Sequence, residues 1–151
     1  MITHGLYSSI DNTWNTPLDY FLTVNAEFRF ELDAAALCNS ALCELWFGPD
    51  HPNPARRNAF GHSWHTEASS IWLNPPYGRE IKNWMRKADE EAQAGATVVC
   101  LVPARTDTNW WHDSCIQHEV RFIKGRLKFN KTGQAPAPAP FPSALVIMRG
   151  K

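Results

Sequence analysis

The sequence has no excess of either charge: fifteen Lys and Arg balance fifteen Asp and Glu over 151 residues. That excludes the uniformly basic surface on which sequence-independent nucleic-acid binding rests, so any contact with a polyanion must be local. No apolar run approaches the roughly 20 residues a membrane helix needs, which excludes a helical membrane span. The four cysteines, Cys38, Cys43, Cys100 and Cys115, show neither Cys-x-x-Cys spacing nor the density of a disulfide scaffold. With no charged-then-apolar leader at the start, they read as reduced thiols of a cytosolic protein. His51, His62 and His65, and likewise His112, Cys115 and His118, lack the paired spacings of structural zinc sites, so no metal is expected. The signature of zinc-dependent cytidine deamination and internal repeats are missing too.

What is present is apolar and aromatic. A content of 44% hydrophobic and 20% charged residues fits a single globular domain spanning residues 1–151. Seven tryptophans exceed what packing alone usually demands. They read either as a Trp-rich core or, in part, as platforms for a planar ligand.

Beyond a weakly patterned stretch up to Trp14, Thr16-Pro17 reads as an N-cap and first turn, predicting a helix over about 17–26. The alternation Phe28-Arg29-Phe30-Glu31-Leu32 predicts a strand ending at Asp33, and Ala34 to Glu44 a helix after it. Residues 47–70, with three prolines, read as a long irregular loop. Ser70 to Leu73 is a short buried strand, and Ile81, Trp84, Met85 and Ala88 place one apolar face on a helix over 79–94. Thr97 to Val102 reads as a strand buried on both faces, Asp107 to Cys115 as a helix start with Asp107 as its cap. Glu119 to Ile123 and Leu127 to Phe129 read as a hairpin turning at Lys124-Gly125-Arg126, residues 135–142 as an extended Ala-Pro linker, and Ala144 to Met148 as the closing strand. This alternation predicts an α/β fold, a mostly parallel sheet with an antiparallel edge. Asp33, Asn74 and Pro103 then stand past strand ends, where such sheets bind ligands.

Asn74-Pro75-Pro76-Tyr77, at the end of a buried strand, suits a planar ring that bears an amino group. Two prolines remove two amide donors and stiffen the turn, and Pro75 biases Asn74 toward an extended backbone. The Asn74 side-chain oxygen and the Pro75 carbonyl can then accept the two hydrogens of an –NH2 group, and Tyr77 can supply a stacking face. Accepting both hydrogens draws a poorly nucleophilic ring amine toward a tetrahedral shape and offsets its developing positive charge.

Six segments in this order carry a resemblance over nearly the whole chain: Trp14-Asn15-Thr16-Pro17, Phe30-Glu31-Leu32-Asp33-Ala34-Ala35, Trp72-Leu73-Asn74-Pro75-Pro76-Tyr77-Gly78, Leu101-Val102-Pro103-Ala104-Arg105-Thr106-Asp107-Thr108, Trp110-Trp111, and Arg121 through Phe129. The chain resembles the phage-type DNA N-6-adenine methyltransferases, the Dam-like family. The resemblance implies an abbreviated Rossmann-like methyltransferase three-layer sandwich, S-adenosylmethionine as donor, DNA as partner, and a phage- or prophage-encoded protein acting in the bacterial cytoplasm. It implies Asn74, Pro75, Pro76 and Tyr77 as catalytic residues, and Thr16, Pro17, Asp33, Ala34 and Asn74 as donor-binding ones. Thr16-Pro17 is equally a plain helix start, and Asp33 equally a helix cap. Where most methyltransferases have a glycine-rich loop after the first strand, this chain has Ala34-Ala35-Ala36. It has Asn58 where members tend to carry an acid, with Asp50 as a substitute.

For DNA, the candidates are Arg105, Lys124 and Arg126, within or near the basic cluster Arg121, Lys124, Arg126, Lys128 and Lys131. Arg105 reads as a phosphate or base contact or as a structural partner, and Trp110 and Trp111 as pocket walls or core. With only residues 47–70 and the basic hairpin free to read a target, relaxed sequence specificity is expected. The tetrapeptide alone leaves open RNA or a protein glutamine as the acceptor, and the missing glycines leave open a DNA-binding module without catalysis. The sequence does not fix an oligomeric state.

Overall fold

The computed structural model describes residues 14–130 and 135–151. The polar lead-in over 1–13 and Lys131 lie outside them. The first helix, α1 (Leu18–Phe28), buries Phe21 and Val24 and leaves Leu18 and Leu22 exposed. It stops because Arg29 takes a left-handed backbone, φ 53°, and returns its N–H to the Asn25 carbonyl. The expected strand over 28–32 therefore shrinks to β1 (Leu32–Asp33). The alternating phenylalanines serve ring packing instead: Phe28 stacks on Phe30, and Phe30 meets Phe21 and Trp72.

No helix forms over 34–44. Asp33 overrides the helix propensity of the alanines, because its carboxylate accepts the N–H groups of Ala35 and Leu42 and folds the chain back into a turn. That turn delivers β2 (Leu45–Trp46), parallel to β1. Gly48 follows, packed so close that a side-chain carbon there would lie 1.9 Å from the Ala36 carbonyl oxygen.

The expected loop after Phe47 contains three single turns of 3-10 helix, Pro54–Arg56, Ala59–Gly61 and Trp64–Thr66, the first two capped by Asn53 and Asn58. It is fastened to α2 (Ile81–Gln93) through Glu91, which receives the His65 backbone N–H, the His65 ring and Lys87. Burial alone pushes the Glu91 carboxyl up, but the hydrogen bonds from Lys87 and His65 bring it below the ordinary glutamate range. Trp64 is fully buried beneath this clasp.

The centre of the sheet is as apolar as its sequence. β3 (Ser70–Leu73), β4 (Thr97–Pro103) and β8 (Ser143–Met148) bury nearly every residue, and Ile81, Trp84, Met85 and Ala88 on α2 are buried at helical spacing. Beyond β4 lies α3 (Asn109–Ser114), capped by the Thr108 hydroxyl rather than by Asp107. β5 (Glu119–Phe122) does not pair in a hairpin with β6 (Lys128–Phe129): it joins the main sheet, while β6 pairs with β7 (Ala137–Pro138) in a separate ribbon. The Ala-Pro segment is thus partly strand, and Lys124-Gly125-Arg126 is a bridge between two sheets.

The six-stranded sheet runs β2-β1-β3-β4-β8-β5. β2, β1, β3 and β4 are parallel, and β8 runs against both its neighbours. The reversed strand is therefore one place in from the edge. This arrangement lets β5 at the rim run parallel to β4.

Candidate active site

β1 has its successor β2 on one side and β3 on the other, so the strand order reverses at β1 and β3. Crevices open at such a point, outside the carboxyl ends of the strands. Asp33 closes β1, Asn74 directly follows β3, and Pro103 closes β4, so the three expected residues stand at ends of successive parallel strands.

The Asn74 side chain is held from both sides. Its Nδ2 donates to the Trp14 carbonyl and, at 2.9 Å, to the Thr16 hydroxyl. A backbone carbonyl can only accept, so the amide nitrogen must face residues 14–16 and the oxygen must face away. That oxygen, Oδ1, lies 2.7 Å from the Tyr77 hydroxyl. The buried Thr16 thus spends its hydroxyl on Asn74 and caps no helix, and Pro17 occupies the cap position without a side-chain bond. Pro75 and Pro76 are buried, and among the described residues the Pro75 carbonyl accepts no hydrogen bond.

Tyr77 is only 3% exposed. Its ring meets Phe129 and Phe141 edge-on, at 6.1 and 5.6 Å between centroids, and Trp14 packs edge-on against the same two rings. The face expected to stack on a ligand is enclosed, and burial pushes the phenol well above its ordinary value.

Asp33 is 2% exposed and sits in register with Trp72, so both project to one face of the sheet, with Asn74 two residues further along. Its carboxylate has two backbone donors, Ala35 at 3.3 Å and Leu42 at 3.1 Å, and no cation pairs with it among the described residues. Burial raises its pKa to about 7 against the pull of those two N–H groups. Beside it the Cys43 thiol is pushed up to about 12, by burial first and by the Asp33 charge second. Ala34 is buried and donates its N–H to the Trp72 carbonyl, tying the end of β1 to β3.

The family model of the DNA N-6-adenine-methyltransferases (Dam) matches residues 5–151, a span that takes in every residue of this site. The chain belongs to this Dam family. It is 26% identical, over 107 residues, to a DNA N-6-adenine-methyltransferase of Escherichia phage T1, a match covering 70% of this chain and 42% of that protein. It is also 26% identical, over 145 residues, to one from Haemophilus phage HP1 (strain HP1c1), covering 91% of this chain and 79% of the relative. The chain spans less than half the length of the phage T1 protein it matches.

In this Dam-family chain the strand ends bring Thr16 and Asn74 into direct contact, with Asp33 at the end of the neighbouring strand. Asn58 caps a 3-10 turn, and Asp50 accepts the Cys38 N–H. Arg105 is exposed, two residues past β4, with its guanidinium 6.0 Å from the Phe141 ring. Lys124 and Arg126 are exposed on the bridge to β6, where Gly125 is left-handed at φ 76°. Arg126 donates to the Ala139 carbonyl and lines a groove of about 880 Å³ between α1 and the β6–β7 ribbon. Trp110 and Trp111 are both buried, edge-on to each other, and belong to the core.

Sequence reasoning missed the backbone half of the site. The Trp14 carbonyl, the Leu42 N–H and the Leu101 carbonyl hold the candidate side chains Asn74, Asp33 and Tyr77, yet no residue type announces them. Among the described residues no group of three or more His, Cys, Asp or Glu is placed to hold a metal, and no helix is long and apolar enough to cross a membrane.

Proposed function

We propose that this chain methylates the N6 amino group of adenine in DNA with S-adenosylmethionine as donor, in a Rossmann-like methyltransferase domain spanning residues 1–151. One observation carries the reading: the Asn74 amide is turned so that its oxygen, not its nitrogen, is on offer at the strand-order reversal, beside a Pro75 carbonyl with no hydrogen bond among the described residues. Two adjacent neutral acceptors are what the two hydrogens of an exocyclic amine require. The names of the two phage relatives and of the family support adenine in DNA as the acceptor.

The residues present fit the donor. A buried carboxyl that no cation neutralises among the described residues, raised to about 7 by burial, suits an ammonium group. Asp33 would hold the donor's amino-acid end, with Thr16, Pro17, Ala34 and Asn74 completing its wall. S-adenosylmethionine, when bound, supplies an electrophilic methyl group on a sulfonium. The chain's own task is to accept the amine hydrogens at Asn74 Oδ1 and the Pro75 carbonyl, which offsets charge as it grows on N6. Pro76 keeps the turn rigid, and no side chain is needed as a base because the proton can leave to water. The base must be turned out of the duplex to reach this crevice; exposed Arg105, Lys124 and Arg126 are the proposed phosphate contacts. The bacterial host's cytoplasm is the setting that the phage relatives suggest.

Purified protein incubated with DNA and methyl-labelled donor tests this. Label is expected on adenine N6, and Asn74→Ala should lower kcat by about a thousandfold, the scale of losing a preorganised transition-state partner. Label found only on RNA or protein would remove the substrate assignment. Full activity in Asn74→Ala would remove the mechanism.

A further inference from the structure

The Tyr77 hydroxyl stands between two acceptors, 2.7 Å from Asn74 Oδ1 and 2.9 Å from the Leu101 carbonyl. A phenol has one proton and can donate it to one of them at a time. The Tyr77 ring is 3% exposed and packs at steep angles against Phe129 and Phe141. Its contact with Asn74 runs through the oxygen atom.

We propose that Tyr77 is a positioning residue that acts through Asn74: its hydroxyl holds Oδ1 in the acceptor orientation in the resting protein, then turns to the Leu101 carbonyl when the substrate amine takes that oxygen. The inference rests on the proposed role of Asn74.

Three features of the site make the exchange cheap and useful. The Asn74 nitrogen is already committed to Trp14 and Thr16, so the only freedom left at this amide is on its oxygen side. An amide oxygen that already accepts a phenol proton has less electron density to give a second donor, so releasing it strengthens the bond to the substrate. The Leu101 carbonyl gives the released hydroxyl a partner, and no buried donor is left unsatisfied. Burial keeps the phenol protonated, and therefore a donor, at every pH at which Asn74 operates.

Tyr77→Phe keeps the ring and its edge contacts and removes one oxygen. With DNA and S-adenosylmethionine, kcat should fall roughly tenfold, the scale of one lost hydrogen bond in the transition state. KM for DNA and the donor Kd by calorimetry should stay within about twofold of wild type, with the thermal midpoint lowered by no more than about 5 °C, the scale of one lost buried hydrogen bond. Unchanged kcat overturns the proposal, since a ring that merely stacks or packs is retained in Phe. A raised KM at constant kcat overturns it as well, because the hydroxyl would then be touching substrate. A fall in kcat matched by lost donor binding and a midpoint lowered well beyond that scale assigns the hydroxyl to packing instead. Asn74→Ala, run in parallel, separates the two levels: if it is inactive while Tyr77→Phe is fully active, only the positioning role fails; if it is fully active, the role of Asn74 fails first.

Discussion

At the end of β3 the polar side chain is a neutral amide engaged at both ends, its nitrogen by Trp14 and Thr16 and its oxygen by Tyr77. At the end of β1, one strand away, it is a buried carboxyl held by two backbone N–H groups and by no cation among the described residues. Under the proposed function, the difference teaches how two neighbouring strand ends divide the work. A neutral, directional partner must be preorganised before the ligand arrives, because its value lies in geometry. A buried charge is costly until it is paired, so in the proposed role the Asp33 carboxyl is a receptor whose cost the ligand offsets.

The largest effect that tests this contrast comes from removing the charge at β1 while keeping its size, an exchange that leaves one oxygen to accept where Ala35 and Leu42 now have two. Asp33→Asn should weaken S-adenosylmethionine binding roughly fiftyfold, the scale of a hydrogen-bonded charge partner, measured by calorimetry at pH 8. Asn74→Ala should instead act mainly on kcat. If Asp33→Asn binds the donor as tightly as wild type, Asp33 is a structural staple for the 34–42 turn and the division of labour collapses.

A second effect targets the same turn without touching a polar side chain. In Gly48→Ala the new carbon would lie 1.9 Å from the Ala36 carbonyl oxygen and 2.9 Å from the Trp46 ring, so backbone on one side and a large ring on the other must move. The variant should lose about 2 kcal/mol of stability in chemical denaturation, as overpacking of a fixed site does. The donor Kd should rise with it, because the 34–42 turn carries both donors to Asp33. Unchanged stability would mean that this turn yields easily and does not preorganise the carboxyl.

The two strand ends were unequally legible in the sequence. Asn74 and its strand announced themselves, because two prolines after an apolar run leave few conformations and α2 follows with a clear 3.6-residue period. Asp33 was marked as a site residue, but its surroundings were misread. The run Ala34-Ala35-Ala36 favours helix locally, and only the carboxylate's bonds to Ala35 and Leu42, the second nine residues away, turn the chain back. The period-2 pattern of Phe28 to Leu32 failed likewise, because Arg29 ends α1 in a left-handed backbone and the rings pack on Trp72. The hairpin expected at Gly125 failed because β5 finds β8 across the sheet, a partner more than twenty residues on. Thr16 was recognised for its place in a motif; that its hydroxyl serves Asn74 was not, since the bond spans 58 positions.

The last effect is again on stability, and it reads the charge at β1 directly. In the donor-free protein the Asp33 pKa is about 7 against an ordinary 3.8, so between these values the folded state binds the extra proton. Unfolding free energy then falls as pH rises through that window and levels off above pH 7, a loss of about 2–4 kcal/mol by linkage. The neighbouring Cys43 thiol, pushed up to about 12, stays neutral throughout and contributes no slope. Glu27, Glu31, Glu91 and Glu119 are all lowered, so their stabilising contributions vanish on the acid side, below the ordinary glutamate range, and do not mimic the effect. Wild type minus Asp33→Asn, compared by denaturation between pH 5 and pH 8, should therefore slope downward and then flatten. Saturating donor should abolish the slope, because an ammonium beside Asp33 brings its pKa back down and makes the ionised form the stable one. A downward slope that survives saturation would place the donor's positive charge away from Asp33, leaving β1 with a buried acid and no ligand to explain it.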